Sequence, residues 1–248
     1  MKEQRPLLFA IKMGLALILI TTIVLLMGTT FSGYFESRKS STPLPVFDET
    51  EKIHFVIDPG HGGEDAGAIA NDGTLEKDLN FKISTLLFTI FDLNGNNVDM
   101  TRTDDHLLYD YYGDLKDYTG QKKVYDLKNR LKFAEEKENS IYVGIHMNKF
   151  PEEKYNGLQI YYSRQNPLSH QLAKEVREAV ISTLQQQNKR QIKPSNNSIF
   201  VLDNAKIPAI LIECGFLSNQ NELELLKSDA YQKKLCVTLF SALVKHAY

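Results

Sequence analysis

An α/β domain with a mixed, mostly parallel sheet of about six strands and helices on both faces is the fold that three observations predict. Short β-rich runs alternate with longer helical patterns along most of the chain, which is the signature of that class. Several of the short runs (VIDP, YVGI, AILIE) are almost wholly apolar, as strands covered on both faces should be. With 42% hydrophobic and 24% charged residues, the composition is that of an ordinary globular protein rather than a disordered or disulfide-stapled one.

The elements follow in order. IHFVID (53–58) reads as the first strand, KDLNFKISTLLFTIF (77–91) as a helix, NVDMTR (97–102) as a strand, DLKNRLKFAEEKE (126–138) as a helix and IYVGIH (141–146) as a strand. Then come GLQIYYS (157–163), the helical LSHQLAKEVREAVISTLQQQ (168–187), SIFVL (198–202) and PAILIE (208–213) as strands around it, and a C-terminal helix from Ala230 to about His246. The polar segment Asp104–Tyr125 holds five of the 12 tyrosines, Tyr109, Tyr111, Tyr112, Tyr118 and Tyr125. A loop of this length is either functional, as a substrate wall or partner surface, or a self-packed excursion.

Ahead of this domain, Met13–Phe31 is a run of 19 residues without a charge, about 28 Å as a helix and enough to span a bilayer core. A helix apolar on every side is either buried in a core or spans a membrane, and the N-terminal place of this run favours the span over a buried core helix. Lys2, Arg5 and Lys12 precede the run against Glu3 alone, which keeps the N-terminus cytoplasmic and places the rest outside. No small-x-small cleavage site follows in TTFSGYFES, which favours a retained anchor over a cleaved signal. The expected organisation is a cytoplasmic stub and anchor over 1–33, a Ser/Thr/Pro-containing linker over 34–51 and a folded domain over 52–248.

The 29 basic and 31 acidic residues give a net charge of −2 with no basic stripe, so nucleic acid is not an expected partner. Cys214 and Cys236 lie in apolar runs without a CxxC spacing and are expected to be buried thiols rather than zinc or disulfide cysteines.

Ligands of mostly parallel sheets bind beyond the carboxyl ends of the strands, and there the ionisable groups gather. His61 follows the first strand in PGHGG, His146 ends IYVGIH, Glu213 ends PAILIE and Glu76 opens the helix after the first loop. Two imidazoles and a carboxylate with an open fourth position make a catalytic zinc site, which His61, Glu76 and His146 could supply. Glu213 would then serve as general base and general acid. Each has an ordinary alternative when taken alone: a turn histidine, a strand-end histidine, and a first-turn carboxylate complementing the helix dipole. Glu213 resists this reading, because a near-buried carboxylate needs a partner. His54, His106, His170 and His246 have no such company and are read as structural. PGHGG is not a phosphate loop, since no Lys-Ser/Thr follows.

The blocks VIDPGHGGEDAGA, LEKDLNFKIS, MTRTDD, YVGIHMN and PAILIECGFLSN, in this order, resemble the zinc-dependent N-acetylmuramoyl-L-alanine amidases over roughly 53–248. The resemblance implies Zn2+ on His61, Glu76 and His146, a catalytic role for Glu213, and hydrolysis of the amide between the lactyl group of N-acetylmuramic acid and L-alanine of the peptidoglycan stem. The membrane-anchored form, the long loop after MTRTDD, KYNGLQIYYS and NNSIFVLDNAKIPAILIE most resemble the sporulation- and germination-specific members of endospore formers. This implies action on spore-cortex peptidoglycan, ahead of muramic-δ-lactam formation, and residence between forespore and mother-cell membranes. Met147 stands where the family commonly has a small residue. Some relatives need an activator, so a protein activator of unknown identity joins peptidoglycan and the membrane among the implied partners. A non-catalytic peptidoglycan-binding module and a different zinc peptidase of the wall are the competing readings.

Overall fold

The computed structural model describes residues 52–246 and, before them, only Thr21. The chain divides into two units, Met1–Phe47 and Asp48–Tyr248, and the second carries the elements that follow. The expected anchor and linker, Thr21 aside, lie outside the described residues. Among those described, no helix is long and apolar enough to cross a membrane.

The element order is β1 (His54–Pro59), α1 (Glu76–Leu93), β2 (Asn97–Met100), α2 (Lys122–Glu135), β3 (Ser140–Asn148), β4 (Gln159–Tyr162), α3 (Pro167–Thr183), β5 (Lys193–Pro194), α4 (Phe200–Asn204), β6 (Ala209–Phe216), α5 (Gln220–Lys227) and α6 (Asp229–Leu243), closed by a 3-10 turn at Val244–His246. The strands of this region form one six-stranded sheet in the order β2-β1-β3-β6-β4-β5. β2, β1, β3 and β6 are mutually parallel, β4 runs antiparallel to β6 and β5 is parallel to β4. The chain leaves β1 in one direction for β2 and returns on the other side for β3. That reversal opens a crevice beyond the carboxyl ends of β1 and β3.

Alternation along the central strands feeds two cores. Phe55, Ile57, Val143, Ile145, Ile210 and Ile212 face one way and pack with the apolar stripes of α1, α3 and α6, such as Ile83, Val176 and Leu239. Val56, Tyr142, Ala209 and Leu211 face the other way onto α2 and α4 through Leu131, Ala134, Val201 and Leu202. Strands sandwiched in this manner cannot carry a polar face, and helices on both faces are what the alternating pattern predicts. Cys214 and Cys236 are free and buried, as expected.

One local reading needs correction, and two short elements left no reading in the sequence analysis. SIFVL is not a strand: residues 200–204 are helical, because the Asp203 carboxylate accepts hydrogen bonds from the Asn197 and Ile199 amides and the Ser195 hydroxyl and winds the chain back on itself. The sixth strand is instead the two-residue β5, too short to leave a pattern. NELELLK forms α5, capped by the Asn219 side chain, which accepts from Glu222 N at 3.1 Å. Its Asn-x-x-Glu spacing is a legible start signal.

Within the tyrosine-rich segment the rings pack on one another. Tyr118 is buried and meets Tyr109 and Tyr125 edge-on, each at 5.3 Å between ring centroids. Asp126 and Asn129 on α2 pin the segment by accepting from Leu108 N and donating to Leu108 O. The helix itself starts at Lys122, so Tyr125 belongs to it.

Candidate active site

Each of the four residues expected at the strand ends reaches one rim of the sheet. β3 and β6 run side by side with His146 and Glu213 as register partners, so both side chains leave the sheet on the same face. β1 delivers His61 through the Pro59-Gly60 turn, and α1 begins at Glu76. The Glu76 carboxylate sits between the two imidazoles: Oε1 lies 3.0 Å from His146 Nδ1 and 3.3 Å from His61 Nε2. One ligand atom from each of His61, Glu76 and His146 falls within 4.8 Å of the others.

Glu76 is only 4% exposed, so its charge needs several partners. Oε2 accepts from Ala68 N at 2.8 Å, while Oε1 accepts from Met147 N at 3.1 Å and Asn80 Nδ2 at 3.3 Å. Burial pushes its carboxyl up, but the hydrogen bonds and charges of His146 and His61 overcome this and hold it well below the usual carboxylate range. The same contacts act on His61 in reverse. Burial opposes its protonation, and Glu76 and Asp65 together outweigh that and raise its pKa.

Glu213 is placed differently. Its Oε2 is buried with no hydrogen-bond partner, and burial, with Glu76 adding to it against the two histidines, pushes its pKa up to about 7. A carboxyl near neutrality can both take and return a proton at working pH, as a general acid-base group must.

The donor set suits a metal ion. Two imidazole nitrogens and a carboxylate oxygen match a three-residue catalytic zinc site, and glycines clear the space around them. A Cβ on Gly60 would lie 2.2 Å from His146 Nε2, and one on Gly67 would lie 2.6 Å from Glu76 Oε2. His61, His146 and Glu213 border a cleft of about 250 Å³. Leu127, Ile199, Phe200 and Leu211 give the cleft its apolar lining, beside charged groups such as Asp126 and Arg130. No tyrosine of the 104–125 segment lines it.

Sequence reasoning missed the residues that hold the four in place. Asp65 accepts from His61 Nδ1 at 2.9 Å, which turns Nε2 toward Glu76 and fixes the ring. Such a carboxylate behind a histidine ligand sets its tautomer and orientation. Its signal was a carboxylate four residues after His61 in the same turn. His61 also has φ of 63°, a left-handed conformation that costs a non-glycine residue about 1–3 kcal/mol and persists only where its surroundings impose it. Three of the other histidines meet different partners: His54 meets Asp99, His106 meets Asp104 and His170 lies against Tyr162. The side chain of His246 is outside the described residues.

The family model described as N-acetylmuramoyl-L-alanine amidase matches residues 55–245. The chain belongs to this amidase family. Its activity is accordingly of the N-acetylmuramoyl-L-alanine amidase type, directed at peptidoglycan. Among relatives of this family, the germination-specific N-acetylmuramoyl-L-alanine amidase of Bacillus subtilis (strain 168) is 30% identical over 190 residues, covering 77% of this chain and 78% of that protein. Among solved amidases, CwlD from Clostridioides difficile, determined in complex with the GerS lipoprotein, is 36% identical with a TM-score of 0.72 over 79% of this chain and 98% of that one. AmiC2 of Nostoc punctiforme is 27% identical with a TM-score of 0.64, covering 79% of this chain and 97% of that one.

Proposed function

We propose that this amidase is a zinc enzyme in which His61, Glu76 and His146 hold the metal and Glu213 is the proton-transfer group. The observation that carries the reading is the meeting of these four residues from separate elements at one strand-end rim, with Glu213 beside His146 and a buried oxygen left unpartnered. Zinc bound there supplies Lewis acidity to the lactyl carbonyl and eases deprotonation of a water. Glu213 accepts the proton of the attacking water on its free oxygen. As the C–N bond breaks, protonated Glu213 returns that proton to the departing alanine nitrogen, which would otherwise leave as a poor amide anion. The products are a lactyl carboxylate and a stem peptide with a new N-terminal L-alanine.

The finer assignment is spore-cortex peptidoglycan, at the cleavage that precedes muramic-δ-lactam formation. The likeness to a germination-specific amidase and to CwlD supports it. The uncharged Met13–Phe31 run and its basic flank support a membrane-anchored enzyme with residues 52–248 as its extracytoplasmic catalytic domain, placed between the forespore and mother-cell membranes. The CwlD complex with a lipoprotein supports a protein partner for this chain as well.

The test is to incubate the purified protein with peptidoglycan and follow new N-terminal L-alanine alongside bound zinc. Release that needs both zinc and Glu213 supports the assignment, and new amino ends other than L-alanine would point to a peptidase. Comparison of cortex with vegetative peptidoglycan as substrate decides the spore role.

A further inference from the structure

The turn that carries His61 is gripped by two buried arginines from different elements. Arg102, just after β2, and Arg130, on α2, are each 2% exposed. Arg102 donates through Nε to Pro59 O at 3.0 Å, through Nη2 to Gly60 O at 3.4 Å and Lys77 O at 3.0 Å, and through Nη1 to Asp104 O at 2.9 Å. Arg130 donates through Nη1 to Pro59 O at 3.0 Å and through Nη2 to His61 O at 2.8 Å. Three successive carbonyls, those of Pro59, Gly60 and His61, therefore end on guanidinium groups.

Arg130 is itself fixed by two carboxylates, Asp126 through Nε at 2.8 Å and Asp58 through Nη1 at 2.6 Å. Asp58 also accepts from the hydroxyls of Thr101 and Tyr142. Arg130 borders the cleft, yet four of its five N–H donors end on the protein's own oxygens, so its main task is to hold the protein's own chain. Two like charges buried side by side are costly, and a fold that needed only packing at these positions would use apolar residues. What the pair provides is a set of rigid planar donors matched to a particular run of carbonyls, which the single flexible ammonium of lysine cannot reproduce.

We propose that Arg102 and Arg130 are positioning residues that clamp the Pro59-Gly60-His61 backbone and impose the left-handed conformation of His61, so that its imidazole stands ready beside Glu76 and His146. They touch no reacting atom and act through His61. The inference rests on the proposed metal role of His61, but the clamp itself is separately measurable.

The experiment compares the full chain with Arg102→Lys, Arg130→Lys and a core control, Leu239→Ala, which removes buried apolar atoms under α6. Zinc affinity is read by competition with a chromophoric chelator, and the backbone of His61 by its HN–Hα coupling and chemical shifts in the metal-free protein. We expect both arginine variants to lose the positive-φ signature of His61 and to bind zinc about 10–100-fold more weakly, as when a group supporting a ligand is removed. Leu239→Ala should unfold at lower temperature and keep both. Arginine variants that match the wild type, or that lose no more zinc affinity than Leu239→Ala, overturn the proposal. If Arg130→Lys does not fold, Arg102→Lys decides alone. A His61 signature lost in the variants of a wild type that binds no zinc would uphold the clamp and reject the metal reading.

Discussion

His146 and Glu213 are register partners on adjacent parallel strands, one contributing a ring nitrogen to the His61-Glu76 cluster and the other a carboxyl whose Oε2 has no partner. In the proposed mechanism, neighbouring positions of two adjacent strands separate the work of holding a metal from that of moving a proton. Glu213→Gln is nearly isosteric and should retain zinc while turnover falls by about 10²–10⁴-fold, the usual contribution of a general acid-base group. His146→Ala should lose both. Zinc content and release of N-terminal L-alanine, measured on the same preparations, check the separation.

The carboxyl of Glu213 also sets a pH dependence of stability in metal-free protein. Its folded pKa of about 7 lies above the ordinary 4.5, so the folded state holds this proton more tightly than the unfolded chain. The contribution is complete below about pH 4.5 and is lost as pH rises through 7, by about 3 kcal/mol. His61, with its raised pKa, acts in the same direction, so the wild type alone does not isolate the effect. Urea unfolding in chelator from pH 4.5 to 8 should show a shallower loss in Glu213→Gln than in wild type.

How far the sequence reveals the site depends on which interactions are local. His146 and Glu213 were legible because each ends an apolar run, His61 because it follows one in a glycine-rich turn, and Glu76 because it opens a periodic helix. Arg130 was not, because Asp126 and Arg130 at i,i+4 read as a surface ion pair, and only the packing of α2 on the sheet buries them. MTRTDD offered no local reason for its residues. Folding supplies it: Thr101 donates to Asp58, Arg102 reaches the Pro59 and Gly60 carbonyls, and Asp105 meets Gly63 N and Lys77. The strand reading of SIFVL failed where short apolar runs always can, with the Asp203 side chain overriding β propensity.

Asp58 is the anion on which the buried cation of Arg130 depends. Burial opposes its charge, and Arg130 with Thr101 and Tyr142 overcomes this and lowers its pKa. Asp58→Asn leaves that guanidinium without one of its two carboxylates and should cost about 3–5 kcal/mol. For the wild type, the stabilisation from Asp58 is complete above its ordinary pKa of 3.8 and is lost as pH falls through the lower folded value. Denaturant midpoints at pH 7 and below pH 4 should therefore differ less in Asp58→Asn than in wild type.

Asp65 offers a gentler probe of the proposed metal ligands. It supports His61 from a partly exposed position, so Asp65→Ala should fold, keep near-wild-type stability and lose about 10–100-fold in zinc affinity. Activity should then be recovered by raising free zinc. A variant that stays inactive at saturating zinc would assign Asp65 a different role.

Gly60 tests whether space around His146 is as necessary as the ligands themselves. Its φ lies outside the left-handed region, so alanine meets no backbone penalty there, yet the added Cβ would lie 2.2 Å from both Cε1 and Nε2 of His146. Real Cβ atoms do not approach so closely, and the imidazole must swing away because Gly60 is tied to β3 through Gly60 N and Ile145 O at 3.1 Å. His146 would then lose its 3.0 Å contact with Glu76 and its place beside Glu213. Gly60→Ala should remain folded, with far-ultraviolet circular dichroism unchanged, while zinc binding and turnover fall together. The paired substitution at Gly73, where a Cβ meets nothing within 4 Å but φ is +87°, should do the reverse, lowering stability slightly and leaving zinc in place.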